Sequence, residues 1–340
     1  MPTSPGCIRY RGKAPAATPR PAARATRAAP HRAMAAAMAA AAAAAAAAAV
    51  AAVAAAVAVE LRAARDRVGL GWRGELAAGI LSNLARIDVL EVIADDYYRA
   101  SRAGIAALGS LARQVPLSLH GVGMGLASTI PAEPRRLHAM ARLMKMVQAE
   151  SWSEHLSFVR AGGVEIGHLA APPRTPHSAA GAIANIALAT RIVGSAPLME
   201  NIATLVQPPA STLDEAQWLA RILDGAQVPL LLDLHNLYAN AVNFGEEPEQ
   251  MLLRLPLARV GAVHLSGGHW IDAPGGGQRL LDDHLHDVPP AVFELLTVLA
   301  RHAPQPLTVI VERDGNYPSF EHVLDQLELA RAALRAGRSA

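Results

Sequence analysis

Six short apolar segments of this chain end in side chains that can bind a metal ion. The segments are PLSLHG, SWSEHLSF, PLMENI, PLLLDLHN, VGAVHLSG and TVIVERD, and they carry His120, His155, Glu200, Asp233 with Asn236, His264 and Glu312. A buried parallel strand that ends in such a residue delivers it to one end of a barrel. Because six strand ends share this pattern between residues 120 and 312, the sequence predicts a polynuclear metal site.

A further candidate lies in the segment LLDDHLHDVPP, which places Asp282, His284 and His286 in a D-x-H-x-H spacing. As a loop over the barrel mouth it would supply another metal; the alternative is a solvated polar loop. Imidazoles mixed with carboxylates suit iron, manganese or zinc, and a carboxylate can bridge two ions. The remaining histidines that we considered are interpreted as ordinary surface or loop residues: His168, His177, His269 and His302.

Short apolar runs alternate with amphipathic stretches from Val68 onward, which is typical of repeated β/α units. Strands are predicted near 68–72, 89–93, 116–120, 148–153, 197–201, 229–233, 260–265 and 306–312. Helices are predicted at 75–86, 101–113, 135–148, 179–193, 212–225, 247–254, 290–302 and 319–336, with Ser211 or Thr212 capping the helix of STLDEAQWLARIL. Eight units of this kind predict a TIM (β/α)8 barrel, and we assign residues 67–338 to one metal-binding catalytic domain.

The charge of the chain is divided unevenly. Residues 1–33 contain seven of the 31 Lys and Arg residues and no acid, so the remainder has 24 basic and 29 acidic residues. The basic character therefore belongs to a tail, and with aromatic residues at 4% we expect no nucleic-acid binding. The single cysteine, Cys7, lies in that tail. A cysteine-based metal site is excluded, so the ligands must be nitrogen and oxygen atoms.

The N-terminal region divides into a disordered Pro/Ala/Arg-rich tail (1–33) and an alanine-rich helix (34–66). The alanine run is long enough for a membrane span, but alanine has little transfer energy and a soluble or interfacial helix fits as well. The region also resembles a targeting peptide, or translation starts later, at Met34, Met38 or beyond. A membrane anchor is the minor alternative among these.

Ten segments of the chain, in their order and spacing, resemble the multinuclear non-haem iron-dependent oxidases, long known as family 692 of the domains of unknown function. The segments are VGLGWRGE, EVIADDYY, SLHGVGMGLAS, SEHLSF, ENIATL, STLDEAQWL, LLLDLHNLYANAVNFG, VHLSGG, LLDDHLHDVP and VERDGNYPSF. The resemblance covers residues 68–335 and implies a xylose-isomerase-like TIM barrel that holds two or three iron ions. It also implies O2-dependent oxidation of cysteine residues in a ribosomally made precursor peptide, with a partner protein that presents the peptide.

Carried over by position, the resemblance implies roles for individual residues. His120, His155 and Glu200 would bind one iron, with Glu200 bridging to the next. Asp233 or Asn236, with His264 and Glu312, would bind a second, and Asp282 with His284, together with Asp314, would complete a third. Glu200 and His235 are the implied catalytic residues, with His235 placed beside the ligands. Arg73 and Arg313 are interpreted as residues that attract acidic groups of the substrate.

The chain departs from the family pattern at several positions around the expected mouth. Ile93 stands where the family has a histidine, Asp95 and Asp96 replace a Glu-Asn pair, and Phe244 replaces another histidine. His235 adds an imidazole next to the site. None of these changes removes an implied ligand, but they bear on substrate preference and partner docking.

Two other functions remain open from the sequence. One is a divalent-metal isomerase or phosphoesterase on the same barrel, because fold alone does not fix the reaction. The other is a non-catalytic metal-binding scaffold. We expect a cytoplasmic protein, because open iron sites and thiol substrates suit a reducing compartment.

Overall fold

Eight parallel strands close into a barrel in the computed structural model, which describes residues 65–273 and 276–340. The barrel strands are β1 (Arg67–Gly71), β2 (Leu90–Ile93), β3 (Leu117–Gly121), β4 (Ser151–His155), β7 (Leu198–Glu200), β8 (Leu230–Asp233), β9 (Val260–Leu265) and β12 (Thr308–Val311). They are neighbours in chain order, and β12 closes the barrel by pairing with β1. The predicted TIM barrel is therefore confirmed.

Helices follow the strands and cover the outside of the barrel. They are α1 (Ala77–Ser82), α2 (Arg102–Ala112), α3 (Pro134–Val147), α4 (Pro176–Val193), α5 (Glu215–Ala226), α6 (Leu234–Phe244), α7 (Pro248–Leu253), α8 (Pro290–His302) and α9 (Phe320–Arg338). Single 3-10 turns lie at Gly74–Leu76, Leu84–Arg86, Ala94–Tyr97 and Leu257–Arg259. The apolar faces of the helices form one continuous core with the strands, in which Trp152 and Leu119 are fully buried.

Two antiparallel hairpins leave the barrel after β4 and β9. The first pairs β5 (Phe158–Ala161) with β6 (Val164–Ala170), and the second pairs β10 (Gly268–Asp272) with β11 (Gln278–Asp282). The sequence did not predict either hairpin. The segment with Asp282 is thus partly a strand, whereas we expected a free loop, because its backbone pairs with β10 from Gly268 to Asp272.

Local details of the helices correct two further expectations. Asp214, and not Ser211 or Thr212, caps α5, because its carboxylate accepts the backbone N–H of Gln217 at 2.8 Å while Gln217 bonds back to the Asp214 N–H. This reciprocal arrangement is a capping box. Helix α6 was not predicted; it begins directly after β8 and shares the segment LLLDLHNLYANAVNFG with that strand.

The predicted tail (1–33) and residues 34–64 of the alanine-rich segment lie outside the described residues. Within the described residues, none of the helices combines the length and apolar character that crossing a membrane requires. The described barrel, with its hairpins and helices, carries all of the candidate ligands that the sequence singled out.

Candidate metal centre

The register of the barrel strands places the candidate ligands in adjacent positions at the C-terminal ends of the strands. His155 of β4 pairs with Glu200 of β7, and Asp233 of β8 pairs with His264 of β9. His120 lies in the neighbouring strand β3, which also pairs with β4. Because side chains in register on neighbouring barrel strands meet inside the barrel, these residues converge on one site.

Glu200 lies at the middle of this site. Its Oε2 is 3.2 Å from Nε2 of His155 and 3.5 Å from Nε2 of His120, and its Oε1 is 3.2 Å from Nδ1 of His264. The rings of His120 and His155 meet edge to face with centroids 4.6 Å apart. One buried carboxylate therefore faces three imidazoles, each from a different strand.

His264 links Glu200 to a second group of ligands. Its Nδ1 lies 2.9 Å from Oε2 of Glu312, and its Nε2 lies 2.8 Å from Oε1 of Glu91. Glu200, Asp233, His264 and Glu312 each offer one ligand atom, and these four atoms lie within 4.8 Å of one another. The same spacing holds for His120, His155 and Glu200, so Glu200 belongs to two adjoining groups.

The second hairpin brings Asp282 and His284 to the edge of this cluster. His284 Nε2 lies 3.1 Å from Oδ2 of Asp282, while its Nδ1 lies 3.3 Å from Oδ2 of Asp314 and 3.6 Å from Oε2 of Glu312. His284 adopts a left-handed backbone with φ of 56°. A non-glycine residue rarely takes this conformation, and the hydrogen bond from its backbone N–H to the Gly267 carbonyl holds it there.

The start of α6 positions three more residues beside the cluster. Asp233 is the N-cap of the helix, and its Oδ1 accepts the backbone N–H of Asn236 at 2.6 Å. The Asn236 amide donates to the carbonyl of Asn201 at 3.0 Å, which leaves its side-chain oxygen available. His235 is fully buried, and its Nδ1 lies 2.8 Å from Oδ1 of Asp282. His235 therefore contacts one of the candidate ligands and can fix its orientation.

Several buried oxygen and nitrogen atoms of the cluster that could bind a metal ion have no hydrogen-bond partner among the described residues. They are Glu91 Oε1, Glu200 Oε2, Asp233 Oδ2, Asn236 Oδ1, His264 Nε2 and His284 Nδ1. Each buried polar atom left unpaired costs about 1–3 kcal/mol. Lone pairs that converge in this way are satisfied by a bound cation, and the nitrogen and oxygen donor set suits iron, manganese or zinc. The residues present therefore fit a metal centre.

The charges of the cluster act strongly on one another. Burial of His155 opposes its charged form, but the carboxylates of Glu200 and Glu154 outweigh burial and raise the pKa of His155 to about 9. Burial opposes the charge of Glu200 as well, and the imidazoles of His155 and His264 hold its pKa below the usual value. Burial, with Asp282 and Glu200 nearby, raises the pKa of Asp233 well above its usual value. A bound cation would relieve the crowding of these carboxylates.

A family model described as "RiPP precursor modification enzyme MbnB/TglH/ChrH" matches residues 67–335, which includes every barrel strand. The chain belongs to this family. It is a family of enzymes that modify the precursors of ribosomally made, post-translationally modified peptides. The resemblance inferred from the sequence is thereby confirmed, and the buried His and Glu groups are candidate metal sites of a family member.

Relatives with the name UPF0276 protein support the same assignment. The relative from Streptomyces avermitilis is 33% identical over 280 residues, which is 80% of this chain and 56% of the relative. The relative from Bordetella bronchiseptica is 32% identical over 272 residues, which is 80% of this chain and 93% of the relative. The chain thus spans little more than half of the Streptomyces protein and nearly all of the Bordetella protein.

Solved structures that align with this chain include sugar epimerases and other barrels. A structure of L-ribulose 3-epimerase aligns with a TM-score of 0.51 at 14% identity, covering 81% of this chain and 96% of that one. The IolI protein, solved with a bound zinc atom, aligns with a TM-score of 0.51 at 12% identity, covering 80% and 98%. At this identity the likeness establishes the fold of the family member and nothing about its reaction.

A cavity of about 420 Å³ opens directly onto the cluster from the C-terminal end of the barrel. His155, Glu200, Asn236, Asp282 and His284 form its polar floor. Its walls are mostly apolar and come from the end of β6, the loop after β7 and the strand β11: Leu169, Ala170, Ala171, Ile202, Ala203, Leu205, Val206, Pro208, Pro209, Leu280 and Leu281. A second cavity, of about 340 Å³, lies at the opposite end of the strands and reaches Glu91 and Ser153 from below.

Apart from His235, the positions at which the chain departs from the family pattern add no ligand atom to the cluster. Ile93 pairs in register with His120 but has no donor atom, and Asp95 accepts the Val122 N–H at 3.0 Å. Phe244 lines a separate cavity together with Arg174. Ile93 and Phe244, which stand where the family has histidines, therefore supply no ligand atom in their place.

The two arginines that were expected to attract acidic substrate groups each form an ion pair within the molecule. Arg73 forms an ion pair of 2.5 Å with Asp314, and Arg313 forms one of 2.9 Å with Asp287. Both charges are thus paired inside the molecule, and their attraction of acidic substrate groups stays a prediction. Arg73 also holds Asp314, which contacts His284.

Glu91 is the residue of the cluster that the sequence analysis missed. It is the second residue of β2, is 3% exposed, and groups with His120 and His264 within ligand distance. Glu91 lies within its apolar run, whereas the ligands predicted on the barrel strands end theirs. A charged side chain inside the short buried strand LEVI was the available signal, because such a residue is almost never buried without a partner.

Proposed function

We propose that this chain is a multinuclear iron-dependent oxidase that uses O2 to modify cysteine residues of a ribosomally synthesised precursor peptide. Its iron ions, when bound, would supply O2 activation and Lewis acidity. The proposal rests on the family assignment together with one structural observation. That observation is the buried cluster of imidazole and carboxylate groups around Glu200, which opens onto a cavity of about 420 Å³.

The chain's own residues divide this task between them. We assign His120, His155 and Glu200 to one ion, and Glu200 is the carboxylate shared with the next. Asp233 or Asn236, with His264 and Glu312, would hold the second ion. Asp282 and His284, supported by Asp314, would hold a third at the edge of the cavity.

Other residues would act by holding the ligands in place. His235 Nδ1 contacts Asp282, Ser153 Oγ lies 2.8 Å from Nδ1 of His120, and the Gly121 carbonyl lies 3.2 Å from Nδ1 of His155. When one ring nitrogen of a histidine binds a metal ion, a hydrogen-bond partner on the other nitrogen fixes the tautomer and the orientation of the ring. The role of His235 is therefore that of a positioning residue beside the metal centre.

The cavity provides the expected place for the peptide. Its apolar walls would bury the side chains around the modified cysteine and exclude water from the polar floor. Leu205 and Val206 on its rim are 39% and 70% exposed, and Val164 on the first hairpin is 67% exposed. Exposed apolar residues such as Leu205 and Val206 at the cavity, and Val164 on the hairpin, suit a bound peptide and the partner protein that presents it.

Metal content of the full chain tests the proposal. Protein purified without oxygen from iron-supplemented cells should contain about two to three iron ions per chain with magnetically coupled Mössbauer spectra. Glu200→Gln should lower the iron content and abolish the coupling, because the shared carboxylate loses its charge. His302→Asn on α8 is the matched control and should leave both unchanged, since His302 is exposed and contacts the carbonyl of Val298 in its own helix.

The same measurement separates the alternatives. Zinc or manganese in place of iron would overturn the oxidase proposal in favour of a divalent-metal isomerase or phosphoesterase. Absence of tightly bound metal would also overturn the oxidase proposal, whereas bound iron without any reaction would favour the metal-binding scaffold. If iron is present, incubation with a cysteine-containing precursor peptide and O2 should change the mass of the peptide, and an unchanged peptide under all conditions would contradict the proposed reaction.

A further inference from the structure

A second group of metal-binding side chains lies on the outer face of the β10–β11 hairpin. His269 is in β10, Asp283 directly follows β11, and His286 lies three residues farther along. His269 Nδ1 is 2.7 Å from Asp283 Oδ2, and His286 Nδ1 is 3.0 Å from Asp283 Oδ1. Three ligand atoms, one from each residue, lie within 4.8 Å of one another.

The hairpin register brings these residues to one face. His269 pairs with Leu281 across the hairpin, so Asp283, two residues beyond Leu281, is its diagonal neighbour. Side chains in this relation lie on the same face of a ribbon and are close enough to interact. The turn that follows returns His286 to Asp283, and the backbone N–H of Leu285 donates to Asp283 Oδ1 at 3.0 Å.

The three side chains are accessible to solvent and are already held close together, as a preorganised metal site requires. The Asp283 side chain is 11% exposed and is held by the Leu285 N–H, whereas the imidazoles of His269 and His286 are 42% and 46% exposed. The two rings are 5.2 Å apart at an angle of 41°, so both can turn a nitrogen toward the same point. Ligand nitrogens and oxygens bind zinc at about 2.0–2.2 Å, and side chains this close reach that distance by small rotations.

We propose that His269, Asp283 and His286 form a surface site for a divalent transition-metal ion, separate from the buried centre. Two imidazoles and one carboxylate favour zinc, cobalt, nickel or copper over magnesium and calcium, which prefer oxygen ligands. Three protein ligands leave the remaining positions to water. The site requires no metal in the buried centre, so it stands independently of the proposed oxidase function.

The position of the site connects it to the buried centre. Along the loop, Asp282 and His284 face the buried cluster, while Asp283 and His286 face the outer site. A metal ion bound outside would tie β10 to the loop that carries Asp282 and His284. Occupation of the outer site would therefore hold that loop in the conformation that the structure shows.

Zinc binding by the full chain tests the proposal. The metal-free protein is titrated with zinc against a coloured chelator, and the equivalents bound are compared between the native chain, His269→Asn and His286→Asn. Each variant should bind one equivalent fewer, or bind it at least about 10–100-fold more weakly, since loss of a supporting residue alone costs that much. His302→Asn is the matched control and should retain all equivalents.

Two comparisons make the result decisive. In Glu200→Gln, where the buried centre is altered, the difference caused by adding His286→Asn should persist. Cobalt should give a visible absorption band that the His269→Asn and His286→Asn variants lack. If His269→Asn and His286→Asn bind the same number of zinc ions as the native chain with the same affinity, Asp283 is only the hydrogen-bond acceptor of two histidines, and the proposal is wrong.

Discussion

Glu91 is a buried carboxylate that needs compensation from the groups around it. Its Oε1 lies 2.8 Å from Nε2 of His264, yet the angles do not allow a hydrogen bond, and both atoms are without one among the described residues. The carboxylate oxygen of Glu91 and the ring nitrogen of His264 are thus close enough to bind one metal ion between them. A cation there would satisfy both, and this makes Glu91 an additional candidate ligand.

The variant Glu91→Gln tests this interpretation. It keeps the shape of the side chain but removes the charge, so we expect iron affinity to fall about 10–100-fold, as for residues that support metal ligands. Iron content after dialysis against a graded series of chelator concentrations measures the change. Glu150→Gln is the control, because Glu150 lines the lower cavity and pairs with Arg67 at 2.7 Å. Unchanged iron retention in Glu91→Gln would show that the residue only fills the barrel.

The individual residues of the centre were predictable to the extent that each ends an apolar run. His120, His264 and Glu312 do so, and the structure brings them together. Glu91 lies within the apolar strand LEVI, not at its end, so the same pattern did not identify it. The ion pair between Arg73 and Asp314 joins residues 241 positions apart, and no spacing pattern in the sequence reports such a contact.

Helix α6 is the element most closely joined to the centre. It begins at Leu234, directly after the last residue of β8, so the same carboxylate ends the strand, caps the helix and faces the cluster. The Asp233 carboxylate uses Oδ1 for the Asn236 N–H and leaves Oδ2 without a hydrogen bond. The helix cap therefore aims the second oxygen at the other candidate ligands.

Two substitutions at Asp233 separate these roles. Asn is as good a helix cap as Asp, so Asp233→Asn should leave the free energy of unfolding of the metal-free protein nearly unchanged, whereas Asp233→Ala should lower it by about 0.5–2 kcal/mol. Both should reduce the metal content. Urea unfolding and elemental analysis of the two variants provide the measurements. Equal stability of the two would contradict the capping role, and native metal content in both would exclude Asp233 as a ligand.

The elements of the barrel were predicted well because each buried strand is a separate apolar run. Helix α6 and the two hairpins, which are additions to the barrel, were not predicted. In LLLDLHNLYANAVNFG the strand passes into α6 without a glycine or proline, so no residue marks the boundary. The strands of the two hairpins are half polar, and β6 is largely exposed, so hydrophobic alternation was too weak to reveal them.

The barrel is closed where the beginning and end of its chain meet. Asp66, just before β1, accepts the Leu307 N–H at 2.8 Å and two bonds from Arg338 at the end of α9, at 2.8 and 3.0 Å. Arg338 also donates to the carbonyl of Gln305 at 2.7 Å. One carboxylate thus joins β1, the entry to β12 and the last helix, across 272 positions of sequence.

This junction predicts a dependence of stability on pH. Burial raises the pKa of Asp66, but the hydrogen bonds from Arg338 and Leu307 outweigh it and hold the pKa below the usual value. Because the folded pKa lies below that of the unfolded chain, about 3.9, the contribution is complete above the unfolded pKa and is lost as the pH falls through the folded one. The site is partly open to solvent, so we expect no more than about 1 kcal/mol.

The comparison of the native chain with Asp66→Asn isolates this contribution, because Asn keeps an oxygen for the Leu307 N–H and loses only the charge. Urea unfolding should show the native chain more stable by up to about 1 kcal/mol near pH 7, with the difference shrinking below about pH 4. Asp325→Asn, at an exposed position of α9, is the control and should lack this pH-dependent difference. Other acidic groups of the barrel titrate equally in both proteins, so their contributions to the difference cancel.

A stability difference that stays constant down to about pH 3 would mean that Asp66 acts through its shape alone. Closure of the barrel would then depend on packing between α9 and α8, and not on the charge that links the start of β1 to the end of α9.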